Sequence, residues 1–574
     1  MTEVFHSSQP LGEATRNVGT LFLNNLERYG AMPAFAERVR GEYRTWSWSG
    51  LAGDILKVSL FLQETGLKQG DRIAFVSANS YNRLITEMAA MAAGYVAVPI
   101  FGGYSRELTS ELLAFSEVRM LVTDVPLKMA ELPPAALPSL VLLISNLEQV
   151  LSLYADPASK SALTMMDRWR AVDPADVAMM MYTSGTSNAP KGVLLTHANL
   201  MTQQRALDLL WKLKPGMRFL CYLPWHHSFG GLFERFCALH SGGCLAIDDS
   251  FGKNIDRLFR NFAEIKPNVY FSVPKIYQEI VSRVLTSKEC ENIFFSPDLE
   301  FVFTAAAPLP LSISAIFKTK GVPVVEGWGL TETSPCCTLT PRSVERQSGV
   351  VGFPIPAVEI KLGDDNEILV RGPNVMKGYF KQPEATAAVL DAEGWFKTGD
   401  VGEFTENGLK IVSRKDRMFK LSNGEKVFPA VIEDNIKSRC KFIKHAYVFG
   451  KGQTNPYLLV FPNSELIAAE AVHPLDESVC EHPCDLRHFS RCLGACLEKV
   501  NHAAGAKFEI IKKAVIVARE PSIENNELTP SFKLISKTIE EKYRKYIRAL
   551  EENKPGELPD DGYIVDVEKI TEKG

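Results

Sequence analysis

The chain has 574 residues, 46% hydrophobic and 23% charged, with a formal net charge of −4. That length exceeds a single core, so three or four compact units are expected, and the acidic balance argues against a nucleic-acid binder, which would present a basic face. Eleven cysteines, an odd number with no short disulfide framework, suit a reducing compartment.

The opening stretch MTEVFHSSQPLGEATRN has neither the basic nor the apolar region of a signal peptide. Residues 20–29 carry apolar side chains at helical spacing; residues 43–48 alternate as a strand does, and 49–65 predict a helix ending before Gly66. A buried strand over 71–77, a helix over 81–93 and a strand over 94–99 follow. This strand–helix–strand rhythm predicts a parallel sheet. The longest apolar stretch, residues 88–101, is too short to cross a bilayer and is broken by Gly94 and Pro99. A soluble cytoplasmic protein is expected, with peripheral membrane contact left open.

Residues 182–193 read YTSGTSNAPKGV. Thr183, Ser184, Thr186 and Ser187 surround Gly185; Asn188, Pro190, Lys191 and Gly192 follow. Apolar runs on both sides predict a loop between two strands. Backbone N–H groups, four hydroxyls and one ammonium in so small a space suit a polyphosphate. A flexible polar surface turn is the plainer alternative. A Walker loop is excluded, because Pro190 stands where its second glycine belongs and Gly192, not Ser or Thr, follows Lys191.

Residues 220–234 place adjacent His226 and His227 after Pro224. With no further ligand at metal-site spacing they are poor zinc candidates. A strand is predicted over 268–273, with a helix after Pro274. The strand from Phe301 runs into Ala305, Ala306 and Ala307, small enough for a backbone to approach a flat base. In VEGWGLTETSP, residues 325–335, Trp328 between Gly327 and Gly329 offers a face for base stacking, and Glu332 offers a hard oxygen for Mg²⁺. A hairpin and then a loop are predicted over 359–379. In GWFKTGDVG, residues 394–402, Asp400 can accept two ribose hydroxyls or simply form the turn. Two short strands are expected over 446–461. Cys480, His482, Cys484, His488, Cys492 and Cys496 lack the C-x-x-C knuckle and predict buried helix cysteines rather than a metal site. Lys533 lies in LTPSFKLISK, residues 528–537, and the tail from Asn553 is predicted to fray.

In this order the segments resemble the acyl-adenylate-forming (AMP-binding) superfamily, with its phosphate loop YTSGTTGxPKGV, P-x-x-H, EGYGLTET, G-W-[FLY]-x-T-G-D and terminal lysine element. Residues 408–433 and 528–537 are similar to the forms in long-chain fatty-acyl-CoA synthetases. Ser187 and Asn188 replace the usual Thr-Gly, and Asn is the residue after glycine that best tolerates positive φ. The resemblance spans roughly residues 20–546. It implies an α/β fold: a large N-terminal domain of stacked α/β sheets plus a small β-barrel-like part over 1–415, and a smaller mobile α+β C-terminal domain over 416–574.

It also implies a two-step acid–thiol ligase using ATP, Mg²⁺ and coenzyme A. Thr183, Ser184, Gly185, Thr186, Ser187 and Lys191 would hold phosphates, with Thr186 and Glu332 on the metal. Ala306, Ala307, Gly327, Trp328, Gly329 and Thr331 would line the nucleotide, Asp400 would take the ribose, and Arg414 would reach ribose and phosphate. Lys533 falls on the adenylation lysine and Asp416 on the hinge. His227 matches the family histidine, as a positioning residue rather than a base, since a carboxylic acid is already ionised at neutral pH. A medium- to long-chain fatty acid is the expected substrate. An acyl carrier protein as acceptor, an aryl or specialised acid, and a catalytically silent scaffold stay as alternatives.

Overall fold

The computed structural model describes residues 3–124, 137–154, 159–183, 191–305, 309–343, 346–347, 349–472, 485–502, 504, 509–522, 524–525, 527–529, 533–554, 556, 558–559 and 561–567. The chain divides into two units where length alone predicts three or four: Met1–Thr398 with Glu403–Lys410, and Gly399–Gly402 with Ile411–Gly574.

In the large unit the strands predicted over 71–77 and 94–99 form, and Met120–Thr123 and Leu140–Leu143, for which nothing is predicted, join them. Arg72–Val76, Val96–Pro99, Met120–Thr123 and Leu140–Leu143 belong to one sheet and pair in parallel. Val96–Pro99 also pairs in parallel with Val177–Thr183, which returns antiparallel against Lys191–Thr196. The two-residue strand Gly378–Tyr379 closes that edge of the seven-stranded sheet.

A second sheet holds Pro33–Val39, Cys244–Ile247, Arg218–Cys221, Val269–Ser272, Phe301–Thr304 and Val324–Trp328 as parallel strands. Beyond Val324–Trp328 the strand order continues as far as Val4–His6, with antiparallel pairs at both ends of that run, and Glu42–Ser47 pairs antiparallel with Pro33–Val39 at the other edge, making fourteen strands. The resemblance implies a small barrel-like part; here the antiparallel strands continue the sheet of the parallel ones. Val4–His6 pairs with Glu359–Lys361 in a stretch for which no element is predicted.

One helical layer serves both sheets, which is why the large unit does not separate further. Helix Tyr81–Ala92 touches strand Pro33–Val39 of the larger sheet and strands Arg72–Val76 and Val96–Pro99 of the smaller. All of its residues except Asn82 are buried, as a helix enclosed on all sides requires. Ser80 starts it by accepting the Arg83 N–H.

The small unit is built on a four-stranded sheet ordered Ile443–Phe449, Tyr457–Pro462, Lys513–Val517 and Gly562–Asp566. Alternation sorts its side chains cleanly. Ala446, Val448, Leu458, Val460, Ala514 and Ile516 face one core with helices Pro429–Arg439 and Leu486–His502. Tyr447, Phe449, Leu459, Phe461, Val515 and Val517 face another with Ile539, Tyr543, Tyr546, Ile547 and Leu550. The tail corrects an expectation: rather than fraying throughout, it pairs Gly562–Asp566 antiparallel with Lys513–Val517 and buries Val565. Helix Leu486–His502 buries Cys492 and Cys496, as expected, while His488 stays exposed with Asp485; Cys480, His482 and Cys484 lie outside the described residues. Among the described residues no helix is long and apolar enough to cross a membrane.

Candidate active site

The hydroxyl-rich segment joins two antiparallel strands whose last register pair is Thr183 with Lys191. Ser184, Gly185, Thr186 and Ser187 lie between them, outside the described residues, as do Ala306 and Ala307. Lys191 therefore leaves the loop on a fixed strand, with its ammonium over the Tyr379 ring, 4.8 Å from the centroid. The Tyr379 hydroxyl donates to Glu332 Oε1 at 2.8 Å. One aromatic side chain thus joins the lysine of one motif to the carboxylate of another.

Glu332 sits in a single 3₁₀ turn, Thr331–Thr333, and is 8% exposed. Its backbone carbonyl accepts the Met376 N–H at 2.8 Å. The buried Asn374 side chain donates to the Thr333 and Cys336 carbonyls and holds the following loop. Thr331 donates its hydroxyl to Ser228 at 3.1 Å, tying this turn to the histidine segment. There the His227 backbone N–H meets the Pro224 carbonyl, and His227 Nδ1 accepts the Phe229 N–H at 3.3 Å. Phe229–Glu234 then forms a π-helical turn, a distortion common at functional sites. His226 stacks obliquely on Phe101, with ring centroids 4.6 Å apart. Burial, with the Arg83 charge and His227 adding to it, pushes His226 down to about 3, so it is neutral at physiological pH.

Trp328 ends strand Val324–Trp328 opposite Thr338 and is half-buried. Its flanking glycines answer to the chain itself. A Cβ at Gly327 would lie 2.8 Å from the Phe303 ring, and one at Gly329 would collide with the Pro335 carbonyl.

In the small unit Arg414 donates to Asp400 Oδ1 at 2.8 Å, and its Nε lies 3.7 Å from Asp416. Asp400 is 6% exposed, whereas the Arg414 side chain is 44% exposed, so the pair forms a surface with one acid edge and one basic edge. Gly399 adopts φ +71°, and its carbonyl accepts the Lys415 N–H at 2.7 Å, which sets the turn. In the lysine element Thr529 N–H donates to the Lys533 carbonyl at 2.8 Å, Lys533 N–H donates to the Thr529 hydroxyl at 3.1 Å, and Leu528 bridges Leu534. Lys533 itself is exposed, and Asp400 and Arg414 act on its ammonium with opposite signs.

The structure thus brings Lys191 together with Glu332, Thr331 with the histidine segment, and Asp400 with Arg414 and Asp416. Sequence reasoning missed Tyr379, Ser228 and Asn374. Tyr379 lies 47 residues from Glu332, and no local spacing joins them. Among the described residues no cluster of three His, Cys, Asp or Glu side chains could cage a metal. The donor set, a buried carboxylate beside a phosphate-type loop, fits Mg²⁺, which keeps few protein ligands and arrives with substrate phosphates.

Comparison with known proteins gives the family. Residues 22–380 match the AMP-binding enzyme family, and residues 416–554 match the AMP-binding enzyme C-terminal domain. The chain belongs to the AMP-binding enzyme family, as an ATP-dependent, AMP-forming ligase of the acyl-CoA synthetase kind. It is 26% identical to the peroxisomal long chain acyl-CoA synthetase 7 of Arabidopsis thaliana, over 90% of this chain and 84% of that one. It is 27% identical to long-chain-fatty-acid–CoA ligase 5 of Rattus norvegicus, over 84% and 80%. The crystal structure of ATP-bound MatB from Rhodopseudomonas palustris superposes with a TM-score of 0.73 at 23% identity, over 92% of this chain and 99% of that one, which shows a shared fold.

Proposed function

We propose that the chain activates a medium- to long-chain fatty acid with Mg·ATP and transfers the acyl group to coenzyme A. The meeting of Lys191 and Glu332 on one Tyr379 ring, at the exit of the hydroxyl-rich loop, carries this reading. The kinship with long-chain ligases supports a fatty acid as the substrate.

In the first half-reaction a carboxylate oxygen attacks the α-phosphorus of ATP, the bond to the β-bridging oxygen breaks, and pyrophosphate leaves. Mg²⁺ supplies charge neutralisation on the phosphates when bound. Lys191 and the loop hydroxyls hold the leaving pyrophosphate, Asp400 receives the ribose hydroxyls, and Lys533 steadies the carboxylate and α-phosphate charge. Placing two anions together is the chief task, so positioned cations and donors supply most of the acceleration. In the second half-reaction the thiol sulfur attacks the acyl carbonyl, its proton passes to solvent, and AMP leaves with the bond electrons. In this scheme Lys533 serves only the first step, and Asp416 serves the change between steps.

The test is thioester formation across acids from acetate to palmitate, with benzoate and cinnamate, offered either coenzyme A or a phosphopantetheinylated carrier protein. Peak turnover on a medium- to long-chain fatty acid with coenzyme A is the expected result. Turnover confined to the carrier protein, or to an aryl acid, would contradict the assignment.

A further inference from the structure

We propose that Tyr379 is a positioning residue that orients Glu332 and Lys191 for a phosphate-bound divalent cation; this rests on the roles given to those two residues above. Tyr379 is 7% exposed and held from several directions. Its backbone N–H donates to the Thr386 hydroxyl at 2.9 Å. On either side, Lys377 N–H donates to the Leu194 carbonyl at 2.9 Å and Phe380 N–H to the Gly192 carbonyl at 2.8 Å. Met376 N–H reaches the Glu332 carbonyl at 2.8 Å. The segment is therefore fastened both to the strand leaving the phosphate-type loop and to the turn bearing the carboxylate.

From that fixed seat one ring addresses two opposite charges by different chemistry. The phenol O–H donates to Glu332 Oε1, fixing the plane of the carboxylate and so the direction from which a cation meets it. The π face lies under the Lys191 ammonium, which the ring quadrupole attracts. A neutral donor suits this place, because it orients the carboxylate without cancelling the charge that a metal needs.

Replacing the hydroxyl alone separates positioning from packing. Mn²⁺ stands in for Mg²⁺, and its binding in the presence of a non-hydrolysable ATP analogue is read by electron paramagnetic resonance, with the melting temperature measured alongside. Tyr379→Phe should weaken Mn²⁺ about tenfold, the lower end for a lost outer-shell partner, with analogue affinity at saturating Mn²⁺ unchanged. Tyr379→Leu should show the same metal defect and, having lost the ring, bind the analogue about two- to fivefold more weakly. Wild-type Mn²⁺ affinity in the phenylalanine variant overturns the proposal; so does an equal loss of metal and analogue accompanied by a lower melting temperature, which marks a packing role. A wild-type protein that binds Mn²⁺ with the analogue but turns over no acid leaves the positioning role standing and removes the proposed reaction instead.

Discussion

The large and small units use the same two side-chain types for opposite ends. In the large unit Glu87 lies between Arg83 at 3.2 Å and Arg235 at 2.7 Å, all three at most 1% exposed, with both guanidinium groups near the Trp225 ring. In the small unit Asp400 meets Arg414 at 2.8 Å, but the arginine is 44% exposed. Sealed from water, arginine and carboxylate must satisfy one another, and the cluster can only hold the helix layer in place. Open to water on its basic side, the same pair remains available to a ligand. Nearby Glu234, 1% exposed and with no hydrogen-bond partner for Oε2 among the described residues, shows what burial does when no such pairing is made: its carboxyl is pushed well above the ordinary range.

The sharpest way to break this comparison is Glu87→Gln. Leaving two buried guanidinium groups uncompensated should cost about 3–5 kcal/mol, read by chemical denaturation. Burial raises the Glu87 pKa, but Arg235 and Arg83 together more than offset it and hold it below the ordinary glutamate value. The stability it contributes is therefore fully present above about pH 4.3 and is lost as the pH falls through the depressed value. The wild type should show that acid limb, and the glutamine variant should lack it. A variant as stable as wild type would mean the cluster is not structural.

Next in size is Lys533→Ala. It should lower acyl-AMP formation by ~10²–10³, the scale of one lost transition-state donor, while thioester formation from supplied acyl-AMP survives. Equal loss in both half-reactions would remove the role given to Lys533. The smallest effect expected is Asp400→Asn. The pair is open to water only on its arginine side, so its loss should cost less stability than that of the Glu87 cluster; a charged hydrogen bond to ribose is worth ~1.5–3 kcal/mol, so ATP should bind tenfold or more weakly, with a smaller drop in melting temperature than Glu87→Gln gives. A large loss of stability with normal ATP binding would place Asp400 with Glu87 rather than with the ligand.

Legibility in the sequence followed range. The strands around the phosphate-type loop were readable because Val177–Thr183 and Lys191–Thr196 are local apolar runs. The motif residues were readable because each sits in a short stretch of unusual composition. The Glu87 cluster was not, because Arg235 joins it from a helix that only the fold brings near. The edge strand Gly562–Asp566 is five residues long and is specified by the partner strand it meets rather than by its own pattern. Gly329 stands beside Trp328 in the sequence, but nothing local shows that the group packed against it is the Pro335 carbonyl.

The central claim is that this protein joins a carboxylate to AMP. Exchange of labelled pyrophosphate into ATP, with and without a fatty acid and with Mg²⁺ present, tests it most directly, because it needs neither thiol nor transfer. Exchange that depends on the acid and on Mg²⁺, and falls by ~10²–10³ in Lys533→Ala, is the predicted result. A folded protein that binds ATP yet shows no acid-dependent exchange with any carboxylic acid would contradict the account.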